Sequence, residues 1–249
     1  MRELHVNVAG LDFFGDAGPF LIGPDGFGGW DEGVDMRLDK TGRPRAHGSF
    51  DLPGFQESRV VPLSGNVLAD SPAQLSSLKE RLLGILAGGQ SGRIQVARPW
   101  GTQWANCRLG AKTRFTERGG RDSGTFQMQL WCADPRKFGN LKTFPVAAGA
   151  PAAVYHRGNY DATPIVQING PVTGGFTITH PGGLYTAVGD LAAGSTIRID
   201  FNTGRLRLNG NDRSDLVTRA DLYKVPSGGQ ATFSVNRGAG FIEVLDTYI

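Results

Sequence analysis

At 249 residues, with 39% hydrophobic and 20% charged residues, the chain carries enough apolar material for one large β domain or two ordinary ones. The formal net charge of +3 is slight for this length, and Lys and Arg never gather into a block of five, which argues against a nucleic-acid binder with a concentrated basic stripe. No run of about 18 apolar residues occurs, which excludes a transmembrane helix.

The first segment, Met1 to Val8, alternates like a strand and lacks the apolar core of a signal peptide, so folding in the cytoplasm where the chain is made is expected. The 37 glycines and 14 prolines punctuate short apolar runs throughout, the texture of a mainly β protein. Strands are expected near residues 3–9, 33–38, 57–66, 92–98, 103–115 and 124–132. One helix interrupts them. Ser71 can cap it, Pro72 fits its first position and Gln74 has capping-box spacing. Leu75, Leu78, Leu82, Ile85 and Leu86 form one apolar face, to be packed over an open sheet, and Gly88-Gly89 supplies a stop.

The run Thr125 to Gly139 is the most informative. Phe126, Met128, Leu130 and Cys132 alternate with Gln127 and Gln129, so the strand is half-buried; Trp131 is expected to be packed too. Pro135 ends the strand because it has no N–H to donate. Asp134 is expected to cap the turn through its side chain, and Arg136 to pair across an interface. The polar, Gly-rich loop at 117–124 divides this strand from the one before it. Cys107 and Cys132 sit in apolar contexts and read as buried thiols.

Composition shifts at 143–164, where the small, uncharged, Pro-bounded run Pro145 to Ala153 reads as a linker or an edge strand. Strand patterns then recur near 164–169, 174–180, 196–201, 204–209, 214–216, 230–236 and 240–248, which suggests a β-sandwich. Asn202-Thr203-Gly204 reads as a hairpin turn, and Asn209-Gly210-Asn211 as the next one.

Motifs for chemistry are missing. The four histidines show no metal-binding spacing, and no Gly-x-Ser-x-Gly elbow occurs. His47 and Asp51 read as turn residues rather than a catalytic pair. Gly26-Phe27-Gly28-Gly29 lacks the Lys-Ser/Thr of a phosphate loop. Trp100 and Trp104, with Arg98 and Arg108, read as sheet packing, with an aromatic and cationic ligand surface as the alternative.

A strand ending in Ala133-Asp134-Pro135-Arg136-Lys137-Phe138-Gly139 resembles the distal tail proteins of long-tailed, siphovirus-type phages. The resemblance extends to Gly26-Phe27-Gly28-Gly29-Trp30, to His47-Gly48-Ser49-Phe50-Asp51-Leu52-Pro53, to Val61-Pro62-Leu63-Ser64-Gly65 ahead of the helix, and to the segment Gly158 to Gly170. It implies an N-terminal β belt domain with one helix packed on a sheet at 1–141, a linker at 142–153, and a C-terminal galectin-like β-sandwich at 154–249. Asp134, Pro135 and Arg136 are then structural motif residues; no catalytic, metal or cofactor residue is implied. The implied role is a homo-oligomeric ring, a hexamer in this family, at the virion tail tip. Its partners would be the tail tube protein, the tail hub protein and the tape-measure protein, with DNA passing through the lumen unbound and no membrane contact. A carbohydrate-binding β-sandwich is the alternative, and a hydrolase a more distant one.

Overall fold

A computed structural model describes residues 4–119 and 122–249. The chain divides into two compact units: one ends at Lys137 and takes in Ile249, and the other spans Phe138–Tyr248.

The first unit contains β1 (His5–Val8), β2 (Leu11–Phe14), β3 (Phe20–Phe27), the two-residue strands β4 (Met36–Arg37) and β5 (Phe55–Gln56), and β6 (Arg59–Leu68). Helix α1 (Pro72–Gly84) follows, then β7 (Gly92–Arg98), β8 (Gly101–Leu109), β9 (Arg114–Arg118) and β10 (Ser123–Cys132). Its main sheet runs β8-β7-β1-β2-β3-β6-β10-β9. β8 also pairs with β10, Leu109 against Leu130 and Arg108 against Trp131, so the sheet closes on itself like a barrel. The expected open sheet is therefore not what forms. The expected strand 103–115 is broken after Leu109: β8 pairs along β7 and meets β10 only at its end, β9 pairs with the other end of β10, and the Gly110 N–H reaches the Gln129 carbonyl at the break (2.8 Å). Such a break lets one continuous run of chain bend and close a barrel.

Period-two alternation sets the barrel interior. Phe126, Met128, Leu130 and Cys132 of β10 point inward, with Val61, Leu63 and Val67 of β6 and Ile94 and Val96 of β7. Phe13, Phe20 and Phe126 meet ring to ring, two of the pairs at 5.4 Å. Trp131 falls on the outer phase and is 38% exposed, contrary to expectation; its indole N–H donates to Ser58 Oγ (2.7 Å). β2 and β3 were not legible in sequence. β3 carries Gly23, Pro24 and Gly26, which break the alternation, and its register with β6 shifts between Ile22 and Phe27. Gly26 belongs to a tight strand crossing: a Cβ there would lie 2.0 Å from the Ser64 carbonyl oxygen.

The helix forms as its sequence dictates. Ser71 Oγ accepts the Gln74 N–H (3.3 Å), Pro72 opens the first turn, and the Gln74 side chain reaches back to the Asp70 N–H. Leu75, Leu78 and Leu82 are buried in the barrel core, and α1 packs on β6 and β9. It ends at Gly84, earlier than Gly88-Gly89, where Ile85 turns extended as the cap; Leu86 follows at φ +52° and sinks its side chain into the core.

The second unit is a two-sheet sandwich. Its strands are β11 (Lys137–Ala147), β12 (Ala152–Tyr155), β13 (Ile165–Asn169), β14 (Phe176–His180), β15 (Gly183–Ala187), β16 (Thr196–Asp200), β17 (Arg205–Leu208), β18 (Asn211–Asp212), β19 (Val217–Ala220), β20 (Gln230–Val235) and β21 (Ala239–Tyr248). One sheet runs β18-β17-β16-β13-β21-β11 and the other β12-β20-β14-β15-β19. Val166, Ile168, Ile199, Leu206 and Ile242 from the first meet Val154, Ile178, Tyr185 and Phe233 from the second. The β16–β17 hairpin turns at 202–204 as read, with Gly204 at φ +72°, and Asn209-Gly210 turns into β18 with both residues at positive φ. Residues 214–216, expected as a strand, form a 3-10 turn ahead of β19. Residues 142–153, read as a linker or edge strand, hold the end of β11 and the start of β12, with Val146, Ala152 and Val154 buried in the sandwich core.

Candidate functional site

The Asp134-Pro135-Arg136 turn follows β10 directly. Asp134 Oδ1 accepts the Arg136 backbone N–H (3.1 Å), the cap expected from sequence. The Arg136 guanidinium folds back onto the same carboxylate in a two-pronged pair, Nε to Oδ1 at 2.9 Å and Nη2 to Oδ2 at 2.7 Å. The pair is thus formed within the turn itself, between residues two apart. Burial works to raise the Asp134 carboxyl, but the hydrogen bonds from Arg136 outweigh it and hold the carboxyl below its ordinary value.

Behind the turn lies a feature that sequence reading missed. Arg59, the first residue of β6, is 1% exposed. Its Nε donates to the Pro135 carbonyl (2.9 Å), and its Nη1 donates to the carbonyls of Gly29, Trp30 (3.3 Å) and Glu32 (2.9 Å). One guanidinium therefore ties the turn to the Gly-rich loop at 28–32. Lys137, also buried, donates to the same Trp30 carbonyl (2.6 Å) and lies 5.8 Å from the Trp30 ring. Burial, together with the Arg59 charge, pushes the Lys137 ammonium down to about 8. Gly29 sits at φ +70°, and a Cβ there would lie 2.0 Å from the Val60 carbonyl oxygen. The Gly-rich loop is thus a carbonyl cage for two buried cations. The signal for it was a charged residue opening an apolar strand, Arg59 before Val60-Val61, together with Trp30 inside a Gly run.

The segment 33–57 forms an arm. Backbone bonds order it, Glu57 N–H to the Asp35 carbonyl (2.8 Å), Phe50 to Thr41 (2.9 Å) and Arg43 to Gly48 (3.1 Å), beside the β4–β5 pair and an exposed Arg37–Glu57 ion pair (3.6 Å). Met36, Leu38, Phe50, Leu52 and Phe55 on this arm are each 45–56% exposed. Arg37 and Arg43 lie 5.8 and 5.9 Å from the Phe55 and Phe50 rings. His47 and Asp51 are both exposed here. A groove of about 390 Å³ runs along β6 and β10, lined by Pro62, Gln127, Gln129, Lys112 and Arg114 among others.

The remaining candidates separate. Trp100 stands 79% exposed at the β7–β8 turn with Arg98 5.5 Å away, whereas Trp104 stacks under the Arg93 guanidinium at 3.9 Å. Arg98 pairs with Asp31, and Arg108 donates to the Gly89 carbonyl, so the four residues do not converge on one surface. Of the loop at 117–124, Glu117 pairs with Lys79 (2.9 Å), and Arg121 lies outside the described residues. Cys107 and Cys132 are buried free thiols, pushed by burial up to about 11 and about 12. Among the described residues no cluster of His, Cys, Asp and Glu could hold a metal, and no helix is long and apolar enough to cross a membrane.

No protein-family model and no curated protein matches the chain. Solved structures do. The SPP1 Dit (gp 19.1) protein, described as a paradigm of the hub adsorption apparatus in phages infecting Gram-positive bacteria, superposes with a TM-score of 0.77 over 99% of each chain at 14% identity. A chain of the phage P2 baseplate in its activated conformation with Ca matches at a TM-score of 0.54, with 7% identity, over 100% of this chain and 98% of that one. A chain of the same baseplate with Sr matches at 0.53, with 8% identity, over 98% of each. Across its whole length, the chain has the fold of a Dit-type phage tail protein.

Proposed function

We propose that this chain is a structural, non-enzymatic protein of the tail tip of a long-tailed phage, where copies form a ring joining the tail tube to the tail hub and adsorption apparatus. The observation that carries the reading is the likeness to the SPP1 protein over 99% of both chains, which leaves no part of the fold unmatched. The exposed apolar arm supports it independently. Five large hydrophobic side chains on a segment without a core of its own favour burial against another chain. In this reading the first unit builds the ring, hexameric in the resembled family, through head-to-tail contacts. The second unit is its galectin-like outer domain. Tube, hub and tape-measure proteins are the partners, and DNA passes the lumen without being held.

Native mass and negative-stain images of the purified chain test this. Rings, or masses several times 26.6 kDa alone or on mixing with the tube protein, are expected. Phe50→Ser, Leu52→Ser and Phe55→Ser together should leave a folded monomer. A wild-type chain that stays monomeric in both settings overturns the reading.

A further inference from the structure

A second site lies on the outer face of the sandwich. The strands β16 and β17 alternate Ile197, Ile199 and Leu206 inward with Arg198, Asp200, Arg205 and Arg207 outward. A cleft of about 230 Å³ opens among these four, Ile165 and Thr203. Arg198 stands directly opposite Arg207 across the hairpin, and Arg207 stands opposite Asp212 of β18, whose carboxylate lies in the field of both Arg205 and Arg207. Every neighbouring carboxylate is already engaged. Glu243 takes Arg198 (2.7 Å). Asp200 accepts the Asn202 N–H (2.7 Å) and the Thr203 hydroxyl (3.2 Å), holding the turn. Asp212 accepts both the backbone N–H and the hydroxyl of Ser214 (3.0 and 2.7 Å). Arg205 and Arg207 are left exposed, without an ion pair or side-chain hydrogen bond among the described residues.

We propose that this cleft binds a phosphorylated sugar or polyol, with the phosphate held between the Arg205 and Arg207 guanidinium groups. Planar guanidiniums recognise phosphate through paired N–H donors, and two of them one strand repeat apart match its spread of oxygens. The cleft exceeds the needs of a bare ion, and its Ile165 wall gives a carbon skeleton an apolar surface. The inference stands on the second unit alone and is independent of the ring reading.

Calorimetric titration of the full chain with glucose 1-phosphate, inorganic phosphate and glucose tests it. Saturable binding of glucose 1-phosphate is expected, about tenfold or more tighter than inorganic phosphate, with glucose silent. Arg205→Gln and Arg207→Gln should each weaken it about tenfold or more, as loss of a charge-assisted hydrogen bond does, without moving the melting temperature. In a parallel measurement on the wild-type chain, glucose 1-phosphate should protect Arg205 and Arg207, but not Arg219, from phenylglyoxal. Absence of saturation, affinity no better than for inorganic phosphate, or uniform modification of all three arginines overturns the proposal.

Discussion

Arg59 Nε donates to the carbonyl of Pro135 at 2.9 Å, joining the first residue of one barrel strand to the turn that leaves another. The same guanidinium holds three carbonyls of the 29–32 loop. The Asp-Pro-Arg turn therefore acts as an acceptor site for a cation distant in sequence, and its own Asp134 and Arg136 complete the turn internally.

Replacing Arg59 by Met should cost about 3–5 kcal/mol, because several buried carbonyls lose their donor together. Arg59→Lys should recover only part, since an ammonium lacks the guanidinium fork. Urea denaturation of both variants checks this, and equal stability of the Met variant and the wild type would contradict the anchoring role.

Leu82 is fully buried between α1 and the barrel. Truncation to Ala should lower stability by about 2–5 kcal/mol through lost transfer energy and the cavity left behind. Leu83, one position on and exposed, should tolerate the same change within about 0.5 kcal/mol. The contrast between the two melting curves is the measurement.

Lys137 should make stability rise with pH between about 8 and 10.5. In that window the unfolded chain binds a proton that the folded chain lacks, so unfolding is favoured by acid. The contribution is on the order of 3 kcal/mol and is fully lost below pH 8. Cys107 and Cys132, both raised, act oppositely as their unfolded thiols ionise above about 8.5. The comparison is therefore between wild type and Lys137→Met, whose stability difference should shrink as pH increases from 8 to 10.5. A difference independent of pH would show that Lys137 is not desolvated.

A fragment beginning at Phe138 should fold, whereas one beginning at residue 150 should be markedly less stable. β11 belongs to the sandwich sheet, and Val146 lies in its core. Circular dichroism and thermal melting of the two fragments distinguish them, and equal melting would mean that β11 adds nothing to the second unit.

Local signals carried much of this chain. Ser71, Pro72 and Gln74 set the helix start, and the leucine spacing set its buried face, because capping and amphipathicity act within a few residues. The Asn202-Thr203-Gly204 turn and the alternation of β10 were legible for the same reason. The resemblance around Asp134-Pro135-Arg136 led to the fold that the SPP1 protein shares. Tertiary structure alone decided the rest. Closure of the barrel depends on the β8–β10 pairing and on where one strand breaks, and period-two patterning is the same in an open and a closed sheet. The membership of β11 in the sandwich, the exposure of Trp131 and the burial of Arg59 and Lys137 are likewise set by partners many residues away. A cation reads as surface in sequence until a loop of carbonyls folds over it, and only the assembled barrel brings Gly29, Trp30, Glu32 and Pro135 to one guanidinium.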